Sequence, residues 1–151
     1  MTVFGLPLHV LLVHAVVVLV PLAAVGGLAI SFLRWARLRY GELVVVGAFG
    51  AAVSTFIAQE TGEQFAATFE QVSPKMAEHF ALGDKLLIWA VLLFVGIAAV
   101  VIAQRLINRD NPRGRVMLLV GAAVTAVSAV VAVVQTVRIG HSGAVAVWGA
   151  M

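Results

Sequence analysis

Four histidines carry most of the chemistry open to this chain. His9 and His14 lie in GLPLHVLLVH, at the head of a long apolar segment; His79 opens HFALGD; His141 sits in the closing stretch GHSGAVAVWG. An imidazole can ligate iron or another metal, relay a proton, or simply hydrogen-bond. Ionisable groups placed at membrane depth are costly enough to be functional candidates by default. Which chemistry applies depends on the elements that position these residues and on whether they converge.

The chain has 151 residues, 62% hydrophobic and 11% charged, with mean hydropathy +1.08. A soluble domain of this length could not cover so much apolar surface, so the composition describes an integral membrane protein in contact with a lipid bilayer. Residues 1–151 suit one compact membrane domain. There is no cysteine, hence no disulfide, thiolate metal site, iron–sulfur ligand set or covalent haem attachment. The pI near 10.2 does not point to nucleic acid, because the arginines fall between apolar segments, where they report topology. The opening MTVFGLPLH lacks the basic region of a cleavable signal, so the first apolar segment is expected to persist.

Four segments, about residues 6–33, 42–58, 78–104 and 116–138, approach or exceed the roughly 20 residues a spanning helix needs. The expected fold is all-α: a four-helix transmembrane bundle in the cell membrane. RWARLRY and RLINRDNPRGR form basic connections after the first and third segments, whereas the second connection carries Glu60, Glu63, Glu70 and Glu78 against Lys75. By the positive-inside bias, both termini and the acidic connection face outside. Ser73-Pro74 reads as an N-cap with proline at the first helical position, starting helix three near Pro74. Small-xxx-small pairs Gly47/Ala51 and Gly50/Ser54, and the stripe Gly121, Thr125, Ser128 and Ala132, mark expected packing seams.

Counting about 1.5 Å per residue from the basic ends places His9 roughly 36 Å up, and His79 and His141 roughly 39 Å up. His14 falls about 7 Å deeper than His9, near the level of Glu60. All four histidines therefore belong to the outer half. His9 and His14 are about 140° apart around a helix, so each faces a different neighbour. Pairs of His14 with His79 and of His9 with His141 are geometrically reasonable, and spacing does not choose between pairings.

The leading chemistry is b-type haem held by two histidines from separate helices, with His14 and His79 as the first pair and His9 and His141 as a second pair or its surroundings. Arg138 and Lys85 would then face haem propionates, their plainer role being snorkelling. A second chemistry is a zinc or copper ion held by His9, His14, His79 and His141 with Glu60 or Glu63, although no HExxH spacing is present. A third is a non-catalytic accessory bundle of a larger membrane complex, and a homo-oligomer suits so small a bundle. GHSGA is not a nucleophile elbow, and no phosphate-binding loop exists.

GLPLHVLLVH, the ETGE segment, HFALGD and GHSGAVAVWG together resemble a bacterial family of small four-helix membrane proteins with LHPxxVH-like and GHxGxxxVY-like motifs. The resemblance covers nearly the whole chain. Val10 stands where that family usually has proline, and Trp148 near its aromatic position; no histidine is lost. Some relatives look fused to Rieske iron–sulfur or cytochrome c domains. The resemblance thus implies redox company, and electron transfer with a quinone or a respiratory partner.

Overall fold

A computed structural model describes residues 2–3, 6–67 and 74–148. Four helices follow one another: α1 (Leu8–Phe32), α2 (Arg34–Ala66), α3 (Pro74–Ile107) and α4 (Arg113–Trp148). Ahead of them, Thr2–Val3 (β1) and Leu6–Pro7 (β2) make a short antiparallel pairing, so α1 begins at Leu8 with Pro7 just outside it. Each helix packs on its sequence neighbours, α4 closes on α1, and α1 touches α3 across the diagonal. All four are long and apolar enough to cross a membrane. The protein is an all-α, multi-pass membrane bundle.

The helices outrun the apolar segments. α2 takes in RWARLRY at its start and QETGEQFA at its end, and α4 carries helix through GHSGAVAVW. Hydropathy marks only the lipid-facing length of a helix. Arg, Ala, Leu, Glu and Gln continue the helix on either side because they are good helix formers. The basic connection after α1 is therefore mostly the first turns of α2, with Leu33 alone between the helices. α3 begins at Pro74, as the Ser-Pro pattern predicts; Ser73 and Glu70 lie outside the described residues.

At the α3–α4 turn, Asn111 accepts the Arg113 N–H through Oδ1 at 3.0 Å, with Pro112 between them. This is an Asn N-cap with proline next, the two commonest ways of starting a helix. Asp110 supplies the left-handed residue of the turn, with φ 53°.

The interior is narrow and made largely of small residues. Val20, Ile97 and Val100 are fully buried, and Thr125, Ser128 and Ala132 of α4 lie against α3 and α1 as the small-residue stripe predicts. A Cβ on Gly96 would stand 2.8 Å from the Thr125 backbone N, and one on Gly121 3.1 Å from the Val100 backbone N. The α3 and α4 backbones therefore touch at this crossing. On α2 the seam differs from the sequence expectation. Ala48, Ala51, Ala52, Thr55 and Ala58 are buried, while Gly47 and Gly50 face open space. Alanine at i, i+3 and i+4 spacing is enough for close approach there.

The outer surface is apolar. Val18, Leu22 and Val25 of α1, Leu43 and Val46 of α2, and Leu119, Val127, Val130 and Val137 of α4 are all more than half exposed. Such continuous apolar faces belong against lipid.

The basic end has its own lock. Arg37 donates through Nη1 to the carbonyls of Ile30 and Ser31, each at 2.9 Å, and through Nε to Gln104 Oε1 at 2.9 Å. Gln104 in turn donates to Asn108 Oδ1 at 2.8 Å. One guanidinium thus caps the C-terminus of α1 from α2 and ties both to α3. Arg105 and Glu42 pair at 2.7 Å, but both are well exposed and the pair adds little. Replacing Arg37 with Met removes charged hydrogen bonds to two helix-end carbonyls and leaves Gln104 without its donor. The expected cost is about 2–3 kcal/mol, read as a lowered unfolding midpoint in detergent. Arg105→Met should change that midpoint far less.

Candidate functional site

At the end of the bundle opposite Arg37, side chains from all four helices surround a cavity of about 280 Å³. Its position follows from helix register. On α1, His9, Val13 and Val16 follow one another at i, i+4 and i+7 and line it. On α4, Thr136 and Ile139 line it at i and i+3, with Ser142 and Gly143 another turn on against His79. His79 enters from α3, so the two imidazoles that line the cavity come from helices that meet across the diagonal.

Each imidazole is held through Nδ1. His9 Nδ1 lies 2.9 Å from the Ala58 carbonyl oxygen. A carbonyl only accepts, so Nδ1 carries the hydrogen. His79 Nδ1 lies 3.0 Å from Ser142 Oγ, and Ser142 donates its own hydroxyl hydrogen to the Ile139 carbonyl at 3.0 Å. With that hydrogen committed, Ser142 accepts from His79 Nδ1–H. In both rings Nε2 is thereby the electron-pair donor.

Glycine makes room for each ring. A Cβ on Gly62 of α2 would stand 3.0 Å from His9 Cε1 and 3.1 Å from its Nδ1. A Cβ on Gly143 of α4 would stand 3.1 Å from His79 Cε1. The ETGE and GHSG stretches thus do related work on opposite sides of the cavity. The first seats His9 and presents the Ala58 carbonyl one turn earlier; the second seats His79 and presents Ser142.

The rest of the wall is mainly apolar. Thr55 and Thr136 spend their hydroxyl hydrogens on the Ala51 and Ala132 carbonyls of their own helices. Gln59 donates through Nε2 to Asp84 Oδ1 at 3.3 Å, while its buried Oε1 has no partner among the described residues. Asp84 and Glu63 line the rim and are exposed.

His14 and His141 are exposed and do not line this cavity. The reason is angular. With His9 turned inward, a residue five positions later points about 140° away; His141 stands five positions beyond inward-facing Thr136 and is turned away likewise. His79 shares the cavity with His9, and His14 does not. Glu60 is exposed and absent from the wall, and Lys85 and Arg138 are exposed on α3 and α4 beside lining residues Leu86 and Ile139. Among the described residues no three His, Cys, Asp or Glu side chains gather as a metal-holding group. The sequence pattern does not single out Gly62, Gly143, Gln59 or the bonding role of Ser142. The available signal was a glycine and a hydroxyl within two positions of His141.

A four-helix membrane bundle with a histidine-lined cavity at one end is the class these features define. A family model described as "Predicted membrane protein (DUF2231)" matches residues 5–150, and the chain belongs to that family. No curated protein and no solved structure matches it.

Proposed function

We propose that this protein is a membrane redox protein that holds one b-type haem between His9 and His79. The observation that carries this reading is the shared Nδ1 anchoring of two histidines from diagonal helices. A metal-ligating histidine commonly donates its other ring N–H to a carbonyl or comparable acceptor, which fixes the ring and makes the ligating nitrogen more basic. Both rings meet that description.

The donor set also selects among metals. A zinc or copper site needs three or four protein donors; two histidines suffice where a macrocycle fills the remaining positions. When bound, haem supplies one-electron transfer at a potential set by its axial ligands and surroundings. The chain's own residues do the rest. Ala58 and Ser142 orient the imidazoles, and Val13, Val16 and Leu86 supply apolar wall. At about 280 Å³ the cavity lies just below the usual range of ligand-site volumes, and its rim at Val17, Glu63 and Asp84 is exposed, so a macrocycle held by the two imidazoles would need that open side as well as the cavity. Lys85 and Arg138 are the nearby cations for carboxylate substituents. The sequence resemblance, some of whose members look fused to Rieske or cytochrome c domains, is the support for redox company and a quinone or respiratory partner.

The test is the reduced-minus-oxidised visible spectrum of protein purified from haem-supplied cells. Soret and α bands are expected in the wild type and in His14→Ala and His141→Ala. They should be lost in His79→Ala and His9→Ala. A protein that stays colourless with haem supplied would contradict the reading.

A second reading rests on Gln59. Its unpartnered Oε1 and the two Nε2 atoms are all acceptors, which suits a ligand that brings hydroxyl donors, as a quinol does. A colourless protein that co-purifies with quinone, and loses it in Gln59→Leu, would favour that reading.

A further inference from the structure

We infer that the groove between α3 and α4 is a binding site for one anionic phospholipid, its phosphate at Arg113 and one acyl chain along the groove. This inference is independent of what occupies the His9–His79 cavity.

The groove, about 670 Å³, is open to the side and nearly all apolar. It exists because the helices meet at Gly96 and Gly121. With Ala99 beside them, these residues put no bulk above the crossing, while Val116 and Val120 stand out as an exposed wall. Its lining on α4 runs from Arg113 to Val124, twelve residues whose ends are about 16 Å apart along the helix. Half of a hydrocarbon core of about 30 Å is about 15 Å. The groove is therefore one leaflet long, running from the basic end toward the middle of the bundle.

Charge selects the headgroup. Among the described residues Arg113 is the only charged side chain lining the groove, and it stands at the basic end, exposed. Arg109 and Arg115 flank it in sequence, with Asp110 the one acid in that connection. The N-terminus of α4, beginning at Arg113, adds the positive end of its helix dipole. A basic pocket between membrane helices at the interface is a recognised setting for anionic headgroups. A second copy of the chain would have to bring an acidic surface to Arg113, and this end of the chain carries Arg34, Arg37, Arg39, Arg105, Arg109, Arg113 and Arg115 against only Glu42 and Asp110.

Native mass spectrometry of the purified full chain tests this, with dioleoyl phosphatidylglycerol and dioleoyl phosphatidylcholine titrated separately. Phosphatidylglycerol should bind at least fivefold more tightly than phosphatidylcholine. Arg113→Gln should remove that preference. Val116→Trp, which fills the groove from its exposed wall without touching the helix crossing, should weaken both lipids. Equal binding of the two lipids, or an unchanged preference in Arg113→Gln, would overturn the inference. So would efficient disulfide dimerisation of Val120→Cys in membranes, which assigns the groove to a second copy.

Discussion

Gly96→Val is expected to cost the folded bundle more than any other single substitution at a helix crossing. A Cβ there would lie 2.7 Å from Thr125 Oγ1, 2.8 Å from the Thr125 backbone N and 3.2 Å from the Gly121 carbonyl. Two of those three atoms are backbone, so no rotamer change relieves the contact and α4 must move away from α3. That movement also strips packing from Val100 and Leu93 of α3, which are almost completely buried. Overpacking of a closed core ordinarily costs about 1–3 kcal/mol, occasionally more, and a backbone contact belongs at the upper end. A large fall in the detergent unfolding midpoint of Gly96→Val is the expected measurement. Gly50→Val provides the comparison, because nothing lies within 4 Å of a Cβ at Gly50. Comparable losses in the two variants would mean that the α3–α4 contact is not what holds the bundle.

The second large effect falls on the cavity while sparing the fold. Gly143→Val puts a Cβ 3.1 Å from His79 Cε1 and adds two methyl groups beyond it. The ring must swing away, which breaks its bond to Ser142 and removes the orientation of Nε2. Gly62→Val does the same to His9, whose Cε1 and Nδ1 are 3.0 and 3.1 Å from the added Cβ. Both glycines lie near helix ends, far from the Gly96–Gly121 crossing, so helix content and the unfolding midpoint should change little. Haem bound per protein should fall at least tenfold in each. Gly140→Val, three residues from Gly143 with open space at its Cβ, should keep full haem content. The contrast between positions 140 and 143 separates a seat for His79 from a general intolerance of bulk in this part of α4.

The sequence made the number of helices and their apolar lengths legible, because hydropathy measures lipid contact directly. It did not make their ends legible. RWARLRY and QETGEQFA are polar but good helix formers, so helix passes through them where hydropathy stops. Small residues were informative on α4, where Gly121, Thr125, Ser128 and Ala132 do form the seam. On α2 the glycines misled, since alanines one position away carry the contact and Gly47 and Gly50 look outward.

The histidines divide in the same way. Spacing alone shows that His9 and His14 point in different directions; it cannot show which points inward. That choice depends on which face of α1 meets α2 and α3, and on a carbonyl at Ala58 that only the folded α2 presents. Likewise Ser142 stands beside His141 in sequence, and that adjacency does not show which histidine it bonds. In the folded chain Ser142 serves His79, sixty-three residues away, and His141 turns outward.

In the proposed haem protein, His9 and His79 are two imidazole ligands to one iron. Electron paramagnetic resonance of the oxidised, haem-loaded protein tests it most directly. A low-spin ferric signal of the bis-imidazole type is expected, unchanged in His14→Ala and altered in His9→Met. A high-spin signal in the wild type, or a low-spin signal that survives loss of His9 and disappears with His14, would contradict it.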